Sequence, residues 1–565
     1  MHRTLLAFAL SLFSSAVLLA QTPPNPASNV KGNAGEETCV VSGMVIRVLD
    51  SAPLKNATVQ LVSGEDREHT IATRTMSDGH FELRNVPSGR YRLKVSRDGY
   101  VEQEFGQKKP TDPGAMFALR PGQKMSDLIF KLGRAGVIAG HVFNTDGEPM
   151  PNVMLNAIRQ VYRDGKREFQ SSAWDRSNDL GEYRIFGLAP GRYYVSAEEQ
   201  TWNHVVGDRE FNPIEKDTGE KAYAKIYFPT SLDLGKASTV TVKQGEEIPA
   251  VDILMKEVVA YRIRGKVTNL LSKTRGAQNV QIAVLRRDSS AEWSEVGSTS
   301  VEKADGSFEI PAVAPGEYSL LAFSFDAGKA HSTQEDLTVG NADVEGLTVI
   351  IGPGVNIPGR VAWEGKPSLE KAGLTVGAAP PGPIFVWGGS AEVDTSNQFT
   401  LSDVPEGELR LTVTGMSKDC YVKEARFGDA LLPDMSFRVM KGSAGPLEIT
   451  VSSLGARVEG TVTNEESLPV AGVWVVAVPE EAKRKQHYLF KSITTDQYGH
   501  FDLRGLAPGK YNLFSWDGVE QGEWEDTDFL KDSEEKGVTV DLNGSDTKAI
   551  ELKLIQLKST ATARE

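Results

Sequence analysis

Apolar and polar residues alternate along most of this chain in short runs, with tight-turn residues between them. One sentence carries the pattern: Tyr498-Gly499-His500-Phe501-Asp502-Leu503-Arg504-Gly505-Leu506-Ala507-Pro508-Gly509-Lys510-Tyr511. It reads as a turn, an alternating strand, a second turn and the start of another strand. Copies centre on Phe81 to Tyr91, Tyr183 to Tyr193, Phe308 to Tyr318 and Phe399 to Leu409. In each, a Gly stands eight residues after the aromatic, at Gly89, Gly191, Gly316, Gly407 and Gly509, while the Pro drifts by one place. Pro508 followed by Gly509 predicts a type II turn, and the fixed Gly predicts left-handed backbone there.

Every copy follows an opening strand with a Gly between apolar neighbours. Those glycines, Gly43, Gly140, Gly265, Gly359 and Gly460, lie 97, 125, 94 and 101 residues apart, too far for solenoid or propeller units. Second strands such as Ala471 to Val478 and closing strands such as Leu128 to Leu132 and Ile550 to Leu554 complete each repeat. Six or seven short strands in about 100 residues predict an all-β, Greek-key antiparallel sandwich. The expected division is 39–133, 134–256, 257–352, 353–453 (the most divergent) and 454–558, with a tail at 559–565. The second repeat carries an aromatic-rich insertion at 200–237.

The opening-strand glycines, "GVWVVAV", "DGHFELRNVPSGRYRLKV" and "DLGEYRIFGLAPGRYYVSA" together resemble the carboxypeptidase regulatory-like domain. The resemblance implies a tandem array of five transthyretin-like (prealbumin-like) sandwiches, related in outline to collagen-adhesin B-type and starch-binding-like modules. It further implies an exported accessory role in a multi-repeat bacterial protein, and it supplies no catalytic residues.

Composition narrows the function. A net charge of −14 disfavours nucleic acid, whose phosphates need a basic face, and disfavours an anionic membrane surface. Residues 1–20, with the apolar run Leu5 to Leu19 and Ala20 before Gln21, read as a signal peptide. Residues 21–38, rich in Pro, Gly, Asn and Ser, read as a flexible leader. The mature chain is therefore expected in the periplasm or outside the cell, without membrane insertion and as a monomer. Its two cysteines, Cys39 and Cys420, form a candidate disulfide if the chain folds back on itself.

Catalytic signatures are missing. No His precedes a Glu by three positions, and the chain has no GxSxG elbow, Walker loop or dinucleotide turn. The adhesin-type Lys–Asn crosslink needs an acid at positions held here by Val95, Ala197, Ala322, Val413 and Ser515. Neither a cofactor nor a metal is expected. The acidic stretch from Glu520 to Glu535 lacks the spacing of a calcium loop and reads as solvated. Aromatic side chains on a sandwich rim stack on sugar rings, so Trp202, Tyr227, Trp516 and Trp524 are the candidate ligand contacts. The expected function is a non-catalytic exported binding or scaffold protein, with carbohydrate the first ligand class. The alternative is a structural spacer, or an accessory subunit of a secreted peptidase or outer-membrane receptor system, with a glycan or an envelope protein as partner.

Overall fold

A computed structural model describes the chain except residues 1–37, 65–69, 108, 111, 200–220, 272–279, 288–294, 327–328, 370–372, 381–388, 441, 443–444 and 558–565. The signal segment, Trp202 and the first part of the insertion therefore lie outside the described residues. The regular structure is nearly all β, with a single α-helix, Thr527–Lys531, among the described residues.

Among the described residues ten of the eleven sheets fall into five consecutive pairs, each enclosing its own apolar cluster, and the eleventh is the two-stranded ladder of Lys221–Tyr223 with Glu257–Val259. In the first, the strand Cys39–Arg47 lies between His80–Val86 and Lys124–Leu132. Val41 and Val45 point into a core that Leu61, Leu93 and Phe117 of the facing sheet complete. Tyr261–Asn269 repeats the arrangement between Ser307–Val313 and Val344–Ile351, as does Ala456–Thr463 between His500–Leu506 and Thr547–Lys553. The fourth pair departs from it. There Leu447–Ser452 is also paired with Tyr421–Phe427, which widens that sheet to five strands.

One detail differs from the antiparallel expectation. In all five units the closing strand runs parallel to the opening strand. Parallel neighbours cannot be joined by a hairpin, so the strands of the facing sheet serve as the crossover.

The repeated glycines now have physical reasons. Each opening glycine pairs across the ladder with its repeat's aromatic: Gly43 with Phe81, Gly140 with Tyr183, Gly265 with Phe308, Gly359 with Phe399 and Gly460 with Phe501. A Cβ at Gly43, Gly140, Gly265 or Gly460 would collide with the carbonyl oxygen of Leu128, Val251, Leu347 or Ile550 on the closing strand, and at Gly359 with the Phe399 ring. The strands approach so closely that no side chain fits between them.

Left-handed backbone is required at another place than the Pro-Gly turn. It falls two residues before the aromatic, where Gly79, Gly181, Gly306 and Gly499 have φ of 79°, 72°, 77° and 76°. Asn397 fills that place in the fourth unit at φ 61°, a conformation Asn tolerates better than other side chains. At the Pro-Gly turn, Gly407 and Gly509 reach φ 128° and 145°, far from the type II value, and Gly191 and Gly316 are not positive. In three of the five units the tyrosine two residues later sets this turn. The hydroxyls of Tyr91, Tyr193 and Tyr318 donate back to the carbonyls of Pro87, Ala189 and Ala314 at 2.9, 2.7 and 2.7 Å. Each ring thereby folds over its glycine.

Candidate functional site

Sandwich interiors supply no chemistry, so the junctions between sandwiches were the places to find polar groups brought together. The largest such gathering lies where the second unit reaches the fourth and fifth. Strands Val153–Arg163 and Lys166–Arg176 form a long hairpin closed by Asp164 and Gly165, at φ 48° and 70°. Two positive φ values make a type I′ turn, whose twist matches the strands it joins. The tip is wedged against the fifth unit so tightly that a Cβ on Gly165 would strike the Glu525 carbonyl. Behind it, the Tyr162 hydroxyl donates to Glu523 Oε1 at 3.4 Å.

Four ionisable side chains meet at this tip. Arg410 Nη1 of the fourth unit lies 2.6 Å from Asp164 Oδ2, and His487 Nδ1 of the fifth lies 2.7 Å from Glu525 Oε2. Ligand atoms of Asp164, His487 and Glu525 fall within 4.8 Å of one another, close enough to share a cation. Each already has a protein partner, and the Arg410 guanidinium occupies the charge-balancing role a metal would take. Burial raises the pKa of Glu525, and the bond from His487 opposes that shift. The Asp164–Arg410 ion pair ties the second sandwich to the fourth, and the Tyr162–Glu523 bond and the Gly165 contact tie it to the fifth.

A second junction joins the first unit to the fifth. The Gln497 side chain accepts from the Ala118 N–H at 3.0 Å and donates to the Ala118 carbonyl at 2.7 Å, so its amide imitates a paired strand. Beside it the Met116 N–H donates to the Thr495 carbonyl at 3.2 Å. The first sandwich is thus hydrogen-bonded to the fifth.

The candidate residues from the sequence do not converge. Tyr227 is buried beside Ile158 and Leu234 in the second unit. Trp516 and Trp524 are also buried, in a second apolar layer on the outer face of the fifth unit. There Trp516 stacks on Phe514 at 4.8 Å and its indole N–H donates to Ser533 Oγ at 3.0 Å, while Trp524 packs on Trp474 at 5.1 Å. These three therefore do not form an exposed sugar platform. The acidic stretch folds over them: Glu520, Asp528, Asp532 and Glu535 are exposed as the solvated reading expects, while three of its other carboxylates bond within the fold. Glu523 accepts from the Glu520 N–H, Glu534 pairs with Arg484, and Asp526 caps the short helix. The unalternating run Val473 to Val478 was the available sign, since a strand apolar on both faces is covered on both. Trp174 alone among the described tryptophans is exposed, at 51%.

The disulfide expectation is corrected as well. Although the chain folds back, Cys39 and Cys420 are free thiols buried in different sandwiches. Cys39 Sγ donates to the Arg120 carbonyl at 3.0 Å, and Cys420 Sγ lies 3.4 Å from Ser417 Oγ.

The family model of the carboxypeptidase regulatory-like domain matches residues 40–125, the first sandwich. Only this stretch, and not the chain as a whole, is matched by the family model. The matching stretch includes Ala118, which Gln497 holds against the fifth sandwich. Among curated proteins, none matches the chain. Solved structures similar to it include the Bacillus anthracis TIE protein, at 14% identity over 56% of this chain and 51% of that one, with a TM-score of 0.16. This chain thus spans about half of the TIE protein's length. A streptococcal ancillary pilin is similar at 11% identity, covering 56% of this chain and 99% of the pilin, with a TM-score of 0.19. GBS52, the minor pilin of Streptococcus agalactiae, is similar at 15% identity, covering 39% and 97%, with a TM-score of 0.22. No helix among the described residues is long and apolar enough to cross a membrane.

Proposed function

We propose that this chain is an exported, non-catalytic scaffold of the bacterial envelope or extracellular space, which holds a fixed shape and offers its outer surfaces to a partner. The observation that carries the reading is the mutual bracing of the sandwiches: Gln497 ties the last to the first, and the Asp164–Gly165 tip pins the second between the fourth and fifth. A protein built to turn over substrate gathers reactive side chains in a cleft. Here the gathered side chains neutralise one another between rigid bodies. The run Leu5 to Leu19 supports export, and an envelope protein is the partner class in this reading.

Carbohydrate binding remains a second reading because Trp174 stands exposed on a strand edge with Asp175 and Arg176 beside it. A glycan array probed with the mature chain and with Trp174→Ala separates the two. A scaffold gives no glycan signal. A lectin-like edge gives a signal that the substitution abolishes. Turnover of peptide or glycoside libraries by the purified mature chain would contradict both.

A further inference from the structure

The fourth and fifth sandwiches border a half-open cavity of about 330 Å³ where they meet. One wall is the strand Gly407–Thr414 with Met416, Tyr421 and Met435, and the other includes Tyr488, Lys491 and Ala507. Its lining is mostly apolar. Lys491 opens the edge strand Lys491–Thr494, and among the described residues its ammonium forms no ion pair and donates no hydrogen bond. Burial alone acts on its amine and lowers the pKa, so no carboxylate stands close enough to compensate the charge. The hydroxyl of Tyr511, beside the Tyr421 and Tyr488 hydroxyls, likewise makes no bond to Ala507, although its counterparts in three other sandwiches bond the corresponding carbonyl.

Lys491 is half-buried and its ammonium still reaches solvent, so it is a hydrated cation at the mouth of an apolar space with no counter-ion of its own among the described residues. A cavity edged by such a cation is complementary to an anion. With one Lys and no Arg on the lining, the charge matched is single, which favours a carboxylate over a phosphate dianion. The rest of the wall asks for an apolar body. The volume equals the liquid share of about eleven waters, at the low end for small-molecule pockets, so the ligand has roughly ten non-hydrogen atoms.

We propose that this cavity binds a small monocarboxylate with an apolar body, its carboxylate on the Lys491 ammonium and its body against Leu411, Met416 and Met435. The inference stands apart from the scaffold reading and does not depend on it.

Calorimetric titration of the whole mature chain with 3-phenylpropanoate, octanoate and the neutral 3-phenylpropanamide tests it. At least one carboxylate should saturate, and the amide should bind about tenfold more weakly or worse, as expected for loss of a charge-assisted bond. Lys491→Met should cost the carboxylate at least about tenfold and leave the amide unchanged. Met416→Trp, which fills the space, should abolish both. Mass spectrometry gives an independent readout on unmodified protein, since the carboxylate should slow acylation of Lys491 by an activated ester while the amide does not. Equal affinity for acid and amide, an unchanged affinity in Lys491→Met, or no saturation by either acid below about 10 mM would overturn the proposal.

Discussion

The third and fifth sandwiches carry the same tyrosine and use it differently. Tyr318 is fully buried and its hydroxyl donates to the Ala314 carbonyl at 2.7 Å. Tyr511 is buried to a similar degree, yet its hydroxyl donates no such bond and Ala507 lines a cavity instead. The edge strands differ in sign. Glu295–Ser300 in the third unit begins on an acid, whose pKa burial pushes up to about 8. Lys491–Thr494 in the fifth begins on a base, whose pKa burial lowers. The repeat therefore dictates a backbone, and the neighbour packed against each copy decides what its polar groups do. In the fifth unit that neighbour is the fourth sandwich, which converts a closed tyrosine turn into one wall of a cavity.

The shared backbone and the divergent polar groups can be tested separately. Gly265→Ala and Gly460→Ala should each destabilise their sandwich by on the order of 3–5 kcal/mol, because the added Cβ strikes a carbonyl that cannot move without breaking a ladder. Urea unfolding reads the loss. If one unit tolerates the change at under ~1 kcal/mol, the two units do not share a frame.

Next in size is the pH response. A folded pKa near 8 for Glu295 lies above its usual 4.5, so the stabilisation linked to its proton is present below 4.5 and lost as pH rises through 8. Glu295→Gln should therefore gain on the wild type by on the order of 3 kcal/mol at pH 9 relative to pH 4. Lys491→Met should behave oppositely. A depressed amine pKa gives stability that is lost as pH falls through the folded value, so the variant gains toward acid. Denaturation of both variants across pH checks the opposition, and parallel slopes would erase it. The smallest effect concerns the hydroxyls themselves. Tyr318→Phe should cost about 1 kcal/mol for its buried bond, and Tyr511→Phe should stay within about 0.5 kcal/mol of the wild type by the same unfolding measurement.

Much of the fold is legible in the residues because glycine and aromatic positions are enforced within each repeat by close strand approach. Asn397 shows how strict this is, since it replaces a glycine and still takes left-handed backbone. The Pro-Gly glycine does not form the type II turn expected of it, and in three repeats, at Gly89, Gly191 and Gly316, it lies under the tyrosine ring instead. Trp516 and Trp524 were placed on a rim because charges surround them in sequence. Burial depends on which segment folds over the outer face, which local composition does not encode. The junction at Asp164 was half visible, since Asp164-Gly165 between alternating strands is a hairpin turn by its chemistry. Its partners Arg410 and Glu525 are 246 and 361 positions from Asp164 along the chain and follow no pattern that links them to it. Gln497 was likewise indistinguishable from any polar turn residue until Ala118 was found beside it.

The central claim is that the sandwiches brace one another into one body. Small-angle X-ray scattering of the mature chain tests it directly. A single sphere of this chain length has a radius of gyration of about 24 Å, and five 100-residue spheres in a row have about 50 Å. The closed arrangement predicts a value much nearer the first, whereas a value near the second would show an open string and contradict the account.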